Sequence, residues 1–229
     1  MHLTRFRLNT ARVGARKLLS SPQALHAAVM SSFAEIPPVN EEGPRVLWRI
    51  DRNSKVETCL YIVSPDKPDL THLVEQAGWP ETGRWQTYDY QALLSRLAKG
   101  NRWAFRLTAN PVHSIRRNAE EPTKLTAHVS QKHQIDWLLQ RQESAGFKVI
   151  EKPAEHQLIP GHDSHELVIH DRRQLTFKKR GNAKPVTLLT VTFDGRLEVT
   201  DPEALSRTLT RGLGRGKAYG CGLMTLAEA

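Results

Sequence analysis

The chain is short of the residues that build disulfide frameworks, membrane spans and stacking surfaces. Two cysteines in 229 residues, Cys59 and Cys221, cannot make a disulfide framework or a four-thiolate zinc site. They suit a reducing cytoplasm, and no redox chemistry is implied. Long apolar runs are missing as well. The longest, such as VTLLTVTF from Val186 to Phe193, falls far short of the roughly 20 residues that cross a bilayer, so a soluble protein is expected. Aromatic residues are only 7% of the chain, which disfavours stacking on single-stranded bases relative to recognition of a folded shape. No acidic residue precedes Glu35, while Arg5, Arg7, Arg12, Arg16 and Lys17 do. That bias superficially suggests a transit peptide, but LTRFRLN reads as a first strand and no cleavage pattern follows.

Familiar catalytic signatures are missing too. There is no G-x-S-x-G elbow, no H-E-x-x-H, and no carboxylate pair suited to a two-metal nuclease. His162 with His165, and His128 with His133, have conceivable ligand spacing but lack thiolate partners. Neither a metal nor another cofactor is expected.

What the chain does have is a core and an uneven charge. Apolar residues make up 39% and charged residues 25%, enough for one large or two small domains. Lys and Arg number 33 against 24 Asp and Glu, a formal +9 with a pI near 9.8. Between Asp171 and Gly220 eleven basic residues face five acidic ones, so six of the nine excess charges lie in the last quarter. Charge so concentrated suits a polyanion, by counterion release, better than solubility alone.

The pattern of elements suggests two similar halves. Leu3 to Asn9 reads as a strand, and Ser21-Pro22 opens a helix that runs to about Phe33 with Leu25, Ala28, Val29 and Phe33 inward. Two strands at 45–51 and 56–63 follow, then a helix from Pro68 to Gln76. A polar stretch, a helical piece at 91–98 and the strand 102–110 complete β-α-β-β-α-β. The polar segment 113–124 is the expected linker, dividing the chain into residues 1–115 and 116–229. The second half repeats the order. It has a helix within 133–146, strands at FKVIE, ELVIH, QLTFKK and PVTLLTVTF, and an Asp-Gly turn within FDGRLEV. A helix capped by Asp201 and a terminal strand from Gly222 to Leu226 close it. The expected class is α+β, as two split β-α-β units side by side.

Three constellations carry chemistry. The string Gly212-Leu213-Gly214-Arg215-Gly216-Lys217-Ala218-Tyr219-Gly220-Cys221-Gly222 lets backbone amides approach an anion, with Arg215 and Lys217 supplying charge. It is neither a Walker loop nor a dinucleotide fingerprint, because a helix precedes it and a strand follows. A tight turn holding the last strand explains the glycines equally. The ribbon RRQLTFKKRGNAK carries Arg172, Arg173, Lys178, Lys179, Arg180 and Lys184 with no acid, around a Gly181-Asn182 turn. A two-stranded ribbon can follow a nucleic-acid groove and touch phosphates on both sides, and Arg116 and Arg117 can extend the track. His26 lies one residue past the inward stripe, about 100° round the helix, where it can reach a ligand. An imidazole beside a ribose can accept the 2′-hydroxyl proton or protonate a departing 5′-oxygen.

Several strings, taken in order, resemble a known family. They are MHLTRFRLN, SPQALHAAV around His26, FRLTANP at 105–111, IDWLLQRQESAGF at 135–147, FDGRLEVTDPEAL at 193–205 and GLGRGKAYGCGL at 212–223. Together they look like the CasE family, the repeat-processing endoribonucleases of the type I-E CRISPR surveillance complex, Cascade. The resemblance implies tandem ferredoxin-like (RRM-like) domains that bind the repeat stem-loop and cut at the 3′ base of the stem without metal. It implies that the protein then stays on the guide RNA beside the other Cascade subunits. It implies that His26 is catalytic and that the basic hairpin, Lys178 through Lys184, enters the RNA major groove. Some members carry a tyrosine three residues before that histidine and a lysine five after it, where this chain has Gln23 and Ser31. Arg16 or Lys17 then becomes the expected source of charge for the phosphorane. The alternative is an RNA-hairpin-binding subunit that does not cut.

Overall fold

The computed structural model describes residues 1–35, 43–54, 57–80, 84–115, 124–158, 163–178 and 185–228, apart from the Lys178 side chain. The first unit begins with strand β1 (His2–Leu8), followed by α1 (Val13–Ser20) and α2 (Pro22–Met30). Strands β2 (Leu47–Arg52) and β3 (Thr58–Ser64), helix α3 (Thr71–Ala77), strand β4 (Gln86–Asp89) and the short helix α4 (Tyr90–Leu94) complete it. The strand order is β2-β3-β1-β4, antiparallel throughout, so this is a complete β-α-β-β-α-β unit.

That corrects one reading. The fourth strand is the polar stretch at 86–89, not 102–110. Only one residue in β4 is even half-buried, so it has no hydrophobic alternation to betray it. Strand β5 (Arg102–Ala109) instead starts the second sheet, with order β11-β5-β10-β8. The change of sheet therefore falls between Leu94 and Arg102, ahead of the division expected at 115/116.

Within the second unit, β6 (Val112–Ile115) and β7 (Lys124–Ala127) form a small hairpin where a linker was expected. Then come α5 (Gln131–Gln142), β8 (Phe147–Val149), β9 (Leu167–Lys178), β10 (Pro185–Val199), α6 (Pro202–Arg211) and β11 (Met224–Glu228). ELVIH and QLTFKK belong to one strand, β9, bent by a bulge where Thr190 and Thr192 face Arg173 and His170; Asp171 there takes φ +47. The Asp-Gly turn expected at 194–195 is absent, because β10 runs straight through it. Gly195 serves close approach: a Cβ there would lie 2.4 Å from the Glu166 carbonyl oxygen. The tandem ferredoxin-like plan holds, with both sheets in the same order.

Two capping sites read from the sequence form as expected. The Ser21 hydroxyl accepts from the Ala24 amide, and Asp201 accepts from Glu203 and Ala204. Helix α1 went unread because its N-cap, Arg12, is no capping residue and Gly14 sits in its first turn. Arg12 fixes its start by donating to the Val74, Glu75 and Gly78 carbonyls at the end of α3.

Packing follows strand alternation. Phe6, Leu60 and Ile62 of the first sheet bury one face against Leu18, Leu25, Val29 and Leu73 of the helices. Leu47 and Val63 on the opposite face join the core of the second unit, with Phe105, Leu107, Phe193 and Leu209. The two units are thus sealed along β2. Cys59 and Cys221 are buried free thiols, and burial pushes Cys221 up to about 12, leaving it unreactive. Among the described residues no helix is long and apolar enough to cross a membrane.

Candidate nucleic-acid processing site

Strand β2 presents its even-numbered residues, Trp48, Ile50 and Arg52, to a cleft between the two units. Pro22 and Leu25 of α2, Thr108 of β5, Arg173 and Leu175 of β9, and Tyr219 and Gly220 of the glycine-rich segment close the cleft's other sides. His26 follows Leu25 by one residue. Its ring is half-buried, and its Nδ1 has no hydrogen-bond partner. Burial holds its pKa below the ordinary imidazole value, so the neutral ring dominates at pH 7. The Gln23 side-chain oxygen, one turn earlier, is also buried without a partner. Helix α2 packs directly against a 3-10 turn at Lys217–Tyr219, which brings the histidine helix and the glycine-rich segment together.

That segment is a strap as much as a cradle. Gly212, Gly214, Gly216, Gly220 and Gly222 all have φ between +77 and +89. At Gly220 a Cβ would also sit 2.6 Å from the Trp48 ring, so the strap lies flat on β2. The amides of Gly212, Leu213, Tyr219, Cys221 and Gly222 donate to the chain's own carbonyls. Those amides are spent within the chain, so the anion cradle expected from the sequence has only the stretch around Arg215 and Lys217 left to form it. Arg215 is exposed, and Lys217 is half-buried with its pKa lowered by burial and then by Arg45 and Arg211.

The basic ribbon divides. Arg173 faces the cleft and donates to Asp171 at 2.6 Å, whereas Arg172 alternates to the other side and is exposed. Lys179, Arg180, Lys184, Arg116 and Arg117 lie outside the described residues, as does the Lys178 side chain. Arg16 is engaged with the carbonyls of Thr10 and Ala11, and Lys17 is exposed in the last turn of α1. Ser31 spends its hydroxyl on the Ala27 carbonyl.

Sequence reasoning missed Arg52. Burial and then the charge of Arg173 lower its pKa, and its guanidinium lies 3.9 Å from Asp171. Two guanidiniums therefore share one carboxylate at the cleft wall, leaving net positive charge beside the histidine helix. The signal was the alternation in RVLWRIDR, but the partner strand is more than a hundred residues away. Among the described residues no group of three or more His, Cys, Asp or Glu is placed to hold a metal ion.

The resemblance read from the sequence strings extends across the chain. A family model described as "CRISPR associated protein" matches residues 1–228. The CRISPR-associated endoribonuclease Cse3 of Thermus thermophilus is 30% identical over 228 residues, covering 99% of this chain and 100% of its own. A structure of CRISPR endoribonuclease Cse3 bound to a 19-nucleotide RNA superposes with a TM-score of 0.73 at 28% identity, covering 99% of this chain and 100% of that one. Thermus thermophilus Cse3 bound to an RNA representing a pre-cleavage complex gives 0.72 at 30% identity, covering 99% and 98%. Family match, full-length relative and shared two-sheet fold agree: the chain belongs to the CRISPR-associated protein family.

Proposed function

We propose that this protein is a metal-independent endoribonuclease of the cytoplasm that binds the CRISPR repeat stem-loop and cuts at the 3′ base of the stem. It then stays on the guide RNA as a Cascade subunit. The observation that carries the reading is the half-buried His26 ring, with an unpartnered Nδ1, on a helix packed against the glycine-rich strap. A buried polar atom without a partner is costly, about 1–3 kcal/mol, and persists where a ligand supplies the missing bond. The reported relatives support it, since one is named an endoribonuclease and two are RNA-bound.

The chemistry follows from the neutral ring. His26 accepts the 2′-hydroxyl proton, the 2′-oxygen attacks the adjacent phosphorus, and the bond to the 5′-oxygen breaks. The departing 5′-oxygen takes a proton from water, and His26 later releases the one it accepted, giving a 2′,3′-cyclic phosphate and a 5′-hydroxyl. Arg173 and Arg52 supply charge to the phosphorane in place of the lysine found in some relatives, and a stem gripped by the basic ribbon aligns the attacking oxygen. The test is cleavage of the cognate repeat RNA in EDTA beside His26→Ala and a 2′-deoxy substitution at the scissile nucleotide. Wild type is expected to cut and both controls to fail. Tight binding without cutting by the wild type would instead leave a hairpin-binding subunit, and cutting by His26→Ala would remove the proposed base.

A further inference from the structure

The paired histidines at 128 and 133, which lacked the context for a metal site, gain a third partner in the fold. His113 of β6 stacks on His128 with ring centroids 4.3 Å apart, and His128 lies 5.7 Å from His133 at the start of α5. His113 and His128 line a cavity of about 260 Å³, with Trp137, Arg141 and Arg215. A water molecule occupies about 30 Å³ in the liquid, so this space suits something far larger. Its floor is Asn110, 8% exposed, whose side-chain oxygen has no partner; His113 Nδ1 is likewise unpartnered. The Asn110 backbone bridges to Arg215 of the strap, so floor and rim are tied together.

The chemistry of these groups selects a ligand. An unpartnered carbonyl oxygen needs an N–H donor, which a bare phosphate or sulfate lacks. Arg141, stacked on Trp137 at 4.4 Å, and Arg215 repel a cationic donor such as a lysine or arginine side chain. Among the described residues no carboxylate lines the cavity; Asp136 acts on His128 only from alongside. Burial, then His113, His133 and Arg141, holds His128 below the ordinary imidazole range, so its ring is neutral near pH 7 and free to lie against a base. A ligand that donates N–H bonds at one end and carries negative charge at the other matches Asn110, the histidine pair and both arginines. We infer that this pocket takes one unpaired nucleotide, its base edge on Asn110 and the His113–His128 pair and its phosphate on Arg215 and Arg141. The inference rests on the proposed function only for the source of the nucleotide, an unpaired residue flanking the repeat stem.

The test uses the full chain and small probes. The histidine ring resonances are followed by NMR during titration with 5′-AMP, ribose 5-phosphate and inorganic phosphate. Saturable shifts at His113 and His128 are expected with 5′-AMP, at an affinity about tenfold or more above ribose 5-phosphate, the worth of one hydrogen bond to a buried orphan. Arg215→Ala, an exposed change, should weaken 5′-AMP several-fold without altering the fold. Equal affinity for all three probes would reduce the pocket to a general anion site, and silence with 5′-AMP would overturn the proposal. In a second arm, abasic substitutions are walked through the unpaired repeat nucleotides. One position should abolish the His113 and His128 shifts, and loss at none would exclude RNA as the source. If RNA is cut but 5′-AMP is silent, only the pocket falls; if 5′-AMP binds but RNA is not cut, only the nuclease reading falls.

Discussion

The two faces of strand β2 are built from the same short sequence and end in opposite states. Its even face, Trp48, Ile50 and Arg52, looks into the cleft beside α2, where the Trp48 indole lacks a partner and two arginines share one aspartate, while on α2 itself the Gln23 oxygen and His26 Nδ1 are also unpartnered. Its odd face carries Arg49, 1% exposed, which donates to both Asp51 oxygens at 2.6 and 2.9 Å. Arg49 also reaches the Arg106 and Leu223 carbonyls and the Thr225 hydroxyl. Arg106 continues the network to Asp194, and Asp194 to His170. A network satisfied this fully is a clamp between sheets. A seam left unsatisfied next door is where a ligand has work to do. Substitutions on the odd face should therefore cost stability, and substitutions on the even face should cost rate.

His26→Ala gives the largest expected effect. Loss of a general base lowers the cleavage rate by about 10²–10⁴, measured in single turnover with binding checked separately. Because the substitution removes an orphaned polar atom, the melting temperature should stay within roughly 2–4 °C of wild type. The pH profile sharpens the point. With its pKa held below the usual 6.5, His26 remains a base as pH falls through that value, so the rate should decline only at lower pH. A decline on the alkaline side instead would make the ring an acid.

Arg49→Met is the counterpart on the closed face. It leaves Asp51, 6% exposed, with Arg106 at 3.5 Å as its one ion pair among the described residues, and removal of one member of a buried pair costs about 3–5 kcal/mol. Urea unfolding measures this, and the cleavage rate per folded molecule should hold. A normal midpoint would mean that the clamp does not join the units. Gly220→Ala comes next, and it should blur the contrast. Its new methyl meets the Trp48 ring while φ is +81, an overpacking cost of about 1–3 kcal/mol. Because the strap also backs α2, both midpoint and rate should drop.

These contrasts also explain what the sequence disclosed. The caps at Ser21 and Asp201, the inward stripe of α2 and the glycine-rich strap are local signals, and all were readable. Strand β4 was not, since an exposed edge of four polar residues has no period to detect. The sheet that Arg102–Ala109 joins is decided by Phe193 and Met224, both paired with Leu107, and no local pattern carries that choice. Gly195 read as a turn because Asp-Gly commonly is one; only the nearby Glu166 carbonyl shows why glycine is required there. For the site, the sequence placed His26 at the margin of the inward stripe, and it is half-buried there. Its unmade hydrogen bond, its lowered pKa and the Arg52–Arg173 wall arise from tertiary contacts alone.

The smallest predicted effect separates the two faces by pH. Burial by itself would raise the Asp194 carboxyl, but the paired bonds and charge of Arg106, at 2.7 and 2.6 Å, and the bond from His170 outweigh it and leave Asp194 below the usual carboxylate range. A carboxylate depressed on folding contributes stability above its unfolded pKa, about 3.9, and loses it as pH falls through the folded value. His26 is also depressed, but its unfolded value is about 6.5, so its contribution fades from there downward. Stability measured against pH should therefore show two losses, one starting near 6.5 that His26→Ala reduces to the share left by His128, and one below about 4 that Asp194→Asn reduces. Each variant should leave the other limb in place, because the groups sit on opposite sides of the seam. If Asp194→Asn also flattened the upper limb, the clamp and the cleft would be one coupled system, and the division of β2 into a structural face and a working face would be wrong.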